Sequence, residues 1–210
     1  MYPGYASTGR RASLLRVFYA ALCAVLSWLF VSSAAAQIER PGAHPQYAVE
    51  LEPHGLIQWD VEPWNDEGLG LGFRASIPVM QNGPVTTINN SFAVGFGLDW
   101  AYSDGNCYWR APPVRYEGDC DTHNFSFPVV AQWNFFFNQT ISAFAEFGLT
   151  IIYATWDWDY PTTVPGDWDE DDIDVDPVFL IGPRFILGDK IAIPIRIGWP
   201  YLSVGVSFLV

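Results

Sequence analysis

Lysine is almost missing from this chain: Lys190 is the only one, and lysine and arginine together number ten against 23 acids. A formal charge of −13 excludes a surface built to track phosphates, so nucleic acid is not an expected partner. Cysteine is scarce as well, with Cys23, Cys107 and Cys120 only. After Val31 no second long apolar run occurs, which excludes anchoring by a membrane-spanning helix. Aromatic side chains, by contrast, make up 17% of the chain, and any fold proposed for it has to give them a place.

The N-terminus reads as a targeting segment. Arg10, Arg11 and Arg16 form a basic region, Val17 to Val31 is an apolar run, and Ser32-Ser33-Ala34-Ala35-Ala36 offers small residues for cleavage before Gln37. The apolar run is about 15 residues, short of the roughly 20 that a spanning helix requires. Cys23 sits inside this run behind Leu22, so it reads as a small apolar filler and not as a lipid attachment site. The expected organisation is a signal peptide over 1–36, a short periplasmic segment over 37–46 and one domain over 47–210. Without the three leader arginines, seven basic residues face 23 acids, a net charge of −16.

Beyond the leader the pattern has a period of two. From Ser91 to Tyr102, Phe92, Val94, Phe96, Leu98, Trp100 and Tyr102 alternate with Ser91, Ala93, Gly95, Gly97, Asp99 and Ala101. A strand sends successive side chains to opposite faces, so this segment has one large apolar face and one small or polar face. Seven more segments repeat the pattern: Tyr47–Trp59, Gly68–Val79, Asn124–Phe137, Thr140–Ala154, Val178–Leu187, Ile191–Trp199 and Leu202–Val210. The connections alternate in length. Asp60–Glu67, Ser103–His123 and Thr155–Pro177 are expected at one end; Met80–Asn90, Asn138-Gln139 and Gly188–Lys190 at the other. Segments of about ten residues with long connections at one end and shorter ones opposite predict an all-β, eight-stranded antiparallel transmembrane β-barrel, with the aromatics forming girdles at its two interfaces.

With its terminal strand Leu202-x-Val204-x-Val206-x-Phe208-x-Val210, the stretch Tyr47 to Val210 resembles the small eight-stranded outer-membrane barrel family, OmpA-like or opacity-protein-like. That family usually ends in Phe or Trp, where this chain has Val210. The resemblance implies a bacterial outer-membrane location, contact with membrane lipid and lipopolysaccharide, and delivery by the barrel-assembly machinery. It implies no cofactor. The role expected is structural or surface-interacting through the long outward loops, with a plugged interior and no general porin activity.

The rival for the same alternation is a soluble, lipocalin-like periplasmic barrel with its apolar face inside. A water-facing surface would be rich in Lys, Glu, Thr and Gln, whereas the second face here is Gly, Ser and Ala with isolated charges. Small residues suit a narrow interior, and large apolar ones suit lipid. Prolines 53, 78, 128, 183 and 194 fall inside the predicted strands, and a closed barrel has no edge to hide them.

Parity places Arg74, Arg184 and Arg196 on the face that carries Glu50, Glu52, Asp99 and Glu146, an expected interior charge network. Cys107 and Cys120 share one polar connection and, in an exported chain, are expected as a disulfide. Asp157, Asp159, Asp167, Asp169, Glu170, Asp171, Asp172, Asp174 and Asp176 crowd the connection after the fifth strand. Asp167-x-Asp169-x-Asp171 has the spacing of a calcium loop, but Asp172 stands where the turn Gly belongs and Val178 where the closing Glu belongs. Asp167, Asp169, Asp171 and Asp172 are therefore weak calcium candidates beside the reading of a solvated loop, and no metal site is expected. Trp156, Trp158, Tyr160 and Trp168 interleave with these acids as a girdle or as a sugar or cation contact. For the alternative of an outer-membrane lipid-modifying enzyme, the lipid A deacylase type of barrel enzyme uses a His-x-Ser pair on one strand face with a supporting acid. His123 and Ser126 are three apart and point to opposite faces, and His44 and His54 have no such serine, so no catalytic residues are expected.

Overall fold

The computed structural model describes residues 38–61, 66–111, 114–158 and 170–210. The expected leader (1–36) and the calcium candidates Asp167 and Asp169 lie outside them, as does the side chain of Cys107. Nine strands follow in order: β1 (Glu50–Val61), β2 (Asp66–Met80), β3 (Asn90–Ala111), β4 (Val114–Phe136), β5 (Ile141–Trp158), β6 (Glu170–Leu187), β7 (Ile191–Trp199), β8 (Tyr201–Gly205) and β9 (Ser207–Leu209). From β1 to β8 each pairs antiparallel with its sequence neighbour, β9 pairs with β7 and β1, and β1 pairs with β2 on one side and with β8 and β9 on the other, so the sheet closes. β8 and β9 are two halves of one stave, giving eight in all.

The register fixes the stagger. From Ile57 one path runs through Leu69, Tyr102, His123 and Thr155 to Asp171 on β6. The other runs through Leu202 and Ile197 to Ile181, ten residues further along the same strand. Eight strands with a shear of ten make a tilted, narrow barrel whose interior side chains can fill.

The prolines sit where the ladder is interrupted. Pro53 on β1 lies opposite Val206, and Pro194 lies beside it on β7; both lack an N–H, and the last stave breaks into β8 and β9 at that point. Val206 N–H still donates to the Pro53 carbonyl at 3.1 Å. Pro78 coincides with a register shift in the β2–β3 pairing.

Two expectations about connections are corrected. The stretch expected as a loop from Ser103 to His123 is a hairpin, since β3 runs on to Ala111 and β4 starts at Val114. The acidic stretch after Ala154 is also largely sheet: β5 continues to Trp158, and Glu170–Asp176 pairs with Thr150–Trp156. Both extensions lack strong apolar alternation in sequence, and backbone pairing carries the strands forward. The first strand begins at Glu50 and not at Tyr47; just before it, the N–H groups of Ala48 and Val49 both turn to the Val210 carbonyl. One end of the barrel thus carries long hairpins, with β3 to β6 projecting beyond the β7–β8 turn; the other carries short turns and both ends of the described chain.

The side chains are distributed inside out relative to a soluble barrel. Leu71 (65% exposed), Phe147 (52%) and Ile181 (47%) stand on the outer face, while Arg74, Arg184 and Arg196 are each 1% exposed within. Rings bound this apolar belt. Trp100 and Tyr102 pack on His123 at 6.0 and 5.2 Å toward the long hairpins, and Trp133 packs on Phe135 at 4.7 Å toward the short turns. Phe125 and Phe135 bracket the belt on β4, ten residues apart. At about 3.3 Å per residue and a tilt near 40°, that is about 25 Å, the height of a membrane barrel's apolar band.

Candidate functional site

The inner face is made of charges fitted between glycines. Arg196 reaches Glu52 in a two-pronged contact, Nη2 to Oε2 at 2.7 Å and Nη1 to Oε1, and donates from Nε to Glu146 Oε1 at 3.0 Å. Arg74 donates from Nη1 to the other oxygen of Glu146 at 3.0 Å and from Nη2 to the Tyr201 hydroxyl at 2.5 Å. Asp99 accepts from His54 Nε2 at 3.0 Å and lies 3.6 Å from Arg74 Nη2. Nearer the short turns, Arg184 Nη2 stands 3.2 Å from Glu50 Oε2, which also accepts from the Tyr47 hydroxyl at 3.3 Å. Charges withdrawn from water in this way cost several kcal/mol each unless paired, and the shared carboxylates of Glu52 and Glu146 supply the pairing.

The small residues of the inner face make this arrangement possible. A Cβ at Gly205 would sit 2.5 Å from Glu52 Oε1, and one at Gly72 would sit 2.2 Å from Asp99 Oδ1. The carboxylates occupy the volume that any larger neighbour would fill.

All seven residues of the charge set inferred from parity lie in the interior, and Arg184 and Glu50 form a pair apart from the other five. Four further groups stand outside that charge set. Phe144 lies with its ring 5.1 Å from both the Arg184 and Arg196 guanidinium centres. Tyr201, Tyr47 and His54 complete the polar contacts. Phe144 was findable, since it stands between Ser142 and Glu146 on an inward parity. Tyr201 was not, because the strand break at Val206 and the turn before it obscure the last stave. Toward the long hairpins, Leu56, Val61, Ala101, Val130, Val178, Leu180 and Tyr201 form one buried apolar cluster.

The other sequence candidates fall on the hairpins. The register puts Cys107 opposite Gly118 and Cys120 opposite Gly105, so the two cysteines occupy adjacent strands two residues out of line. Asp171 and Asp172 are successive residues of β6, facing opposite ways. One oxygen of Asp172 accepts from Ile173 N–H at 2.8 Å, and one of Asp174 accepts from Val175 N–H at 2.7 Å. Asp176 has its carboxyl above the usual carboxylate range, through partial burial first and then the nearby charge of Asp174. Trp156 follows the inward parity of Ile152 and Ala154, which takes it out of the outward row expected for a girdle. His123 is half-buried on the outer face against Trp100, and Ser126 is buried within, so the two do not meet.

No protein-family model matches the chain, and no curated protein does. Among solved structures, Ail, the attachment invasion locus protein of Yersinia pestis, matches at 8% identity over 78% of this chain and 99% of its own, with a TM-score of 0.45. Ail in complex with the heparin analogue sucrose octasulfate matches at 12% identity, with coverages of 76% and 96% and a TM-score of 0.42. Neisserial surface protein A matches at 13% identity, with coverages of 77% and 96% and a TM-score of 0.45. The chain is similar in fold to these proteins.

Proposed function

We propose that this chain is a bacterial outer-membrane β-barrel with a plugged interior, serving a structural or surface-interaction role through its β3–β4 and β5–β6 hairpins. One observation carries the reading: the closed sheet exposes a continuous apolar belt and buries three arginines and four acids. In water the belt would be a large unfavourable surface, whereas in hydrocarbon it is matched; closure leaves no backbone edge within it. The lipocalin-like alternative requires the opposite distribution. Lipid and lipopolysaccharide contact, assembly by the barrel machinery and export by a cleaved leader follow from this placement.

The hairpins that would meet the outside carry Asp104, Asp121, Asp157, Asp171, Asp172, Asp174 and Asp176 on described positions. Such a rim disfavours polyanions and favours cationic ligands or divalent bridging. The interior favours a plug, since ion pairs and the apolar cluster fill one narrow bore. The test is fractionation of expressing cells. Recovery in the outer-membrane fraction, released only by detergent and shifting in gel mobility between unheated and boiled samples, is expected. Recovery in the soluble periplasm without detergent contradicts the proposal.

The same proposal includes a Cys107–Cys120 disulfide across the β3–β4 hairpin. Closing so short a loop stabilises by about 3 kcal/mol in the chain-entropy account, and the barrel below should survive its reduction. Both thiols should resist alkylation in unreduced folded protein; modification of both would show that the bond is missing.

A further inference from the structure

At the short-turn end a small buried apolar cluster, Phe136, Ile186 and Ala192, lies beside polar groups that are only partly satisfied. Glu50 Oε1, Arg184 Nε and Ser142 Oγ are buried and have no hydrogen-bond partner among the described residues. Buried polar atoms of this kind are ordinarily completed by ordered water, which makes this part of the bore a small hydrated chamber. A chamber directly beneath a barrel mouth would exchange freely with bulk solvent unless something covered it.

We propose that Ile38–Val49 is a cork that closes this mouth; the proposal rests on the plugged-barrel reading and names the segment that seals one end. The segment is held at three of the four places where chain passes across this end, and it faces the fourth, the β6–β7 turn, across a cavity. At the β2–β3 connection, Asn89 N–H donates to the Ile38 carbonyl at 2.6 Å, and Gln81 Nε2 donates to the Tyr47 carbonyl at 3.1 Å. At the end of β4, the His44 ring stacks on Phe136 with centroids 4.3 Å apart and planes 7° from parallel. Opposite, His44 and Pro45 share the wall of a 390 Å³ cavity with Gln139 and Thr140 of the β4–β5 turn and Asp189 of the β6–β7 turn. At the C-terminus, the N–H groups of Ala48 and Val49 both donate to the Val210 carbonyl, at 2.7 and 3.1 Å.

His44 is the central fixing point. It is buried, its Nδ1 donates to Asn89 Oδ1 at 2.6 Å, and its Nε2 accepts from Gln46 Nε2 at 3.2 Å. Tyr47 reaches inward from the same segment to Glu50, so the cork also supplies a hydroxyl to the chamber beneath it. A segment that merely trailed into solvent would have no reason to bury a histidine and a tyrosine or to hold both ends by backbone hydrogen bonds. The entropy lost in ordering these residues is offset only by such contacts.

The experiment places a reporter thiol beneath the cork by Ser142→Cys in the full chain, a buried position whose hydroxyl is unpartnered. A charged thiol reagent is applied to folded protein, and modification at position 142 is mapped by mass so that Cys107 and Cys120 do not interfere. Slow modification is expected with the cork intact. Modification at least tenfold faster is expected with His44→Ala and with residues 38–46 deleted, both in protein that still shows the folded gel mobility. Equal rates in all three, or fast modification with the cork intact, would overturn the proposal. Should neither variant fold, amide exchange on the unaltered protein decides: a slowly exchanging Asn89 N–H supports the cork, and exchange at the rate of an open loop overturns it. Planar-bilayer recordings separate the two failures. Large steady conductance from the intact protein contradicts the plugged interior itself, whereas an exposed thiol without conductance contradicts only the cork.

Discussion

At the scale of single residues, Arg196 holds the most connected position in the interior, since Glu52 and Glu146 both depend on it. Removing one member of a buried ion cluster leaves the partners charged and unpaired, which costs about 3–5 kcal/mol. Arg196→Ala should therefore lower the urea unfolding free energy of the reconstituted barrel by that amount. Adding Glu52→Leu to it should restore part of the loss, because Glu52 is the carboxylate left without its arginine, whereas Glu146 keeps Arg74. An unchanged unfolding midpoint for Arg196→Ala would mean that the three groups are not coupled. The alternation of β1, β2, β3, β5, β6 and β7 made the arginines and acids legible as one face. Which acid meets which arginine was not legible, since Glu146 and Arg196 meet across the bore and no local pattern encodes that.

At the scale of strands, the upper half of β6 is an edge without a neighbour among the described residues. Its pairing with β7 ends at Phe179, yet it continues outward to Glu170 against β5 alone. Thr140 accepts from Ile186 N–H, so the even residues of β6 bond to β5 and the odd ones face the open side. On that side the Ile173 and Val175 N–H groups are taken by the carboxylates of Asp172 and Asp174, and position 177 is proline, which has none. An edge with two of its donors already taken, a proline at a third position and a row of negative charge resists pairing with another chain. Asp172→Ala combined with Asp174→Ala should release two donors and increase dimer content in detergent, measured by analytical ultracentrifugation. A strictly unchanged monomer would show that the acids do not guard the edge. The acidic stretch reads as a loop in sequence because its alternation is polar on one face and only Ile173 and Val175 mark the other. Its strand character comes from pairing with β5, a partner that local pattern does not reveal.

At the scale of the whole molecule, the eight staves and the two faces were legible because a period of two survives in every stave. The break at Val206 was not, since it depends on Pro53 and Pro194 lying next to it in space. The mouth-covering role of Ile38–Val49 was likewise hidden in a stretch with no period. The central claim is that the outer face lies in hydrocarbon. It is tested most directly by nitroxide labels at Leu71, Phe147 and Ile181 in protein reconstituted into vesicles, with Asp104 on the projecting hairpin as the aqueous reference. Collision with dissolved oxygen should exceed collision with a polar nickel complex at the first three positions, and the order should reverse at Asp104. Equal access of the nickel complex to all four labels would contradict a barrel seated in lipid.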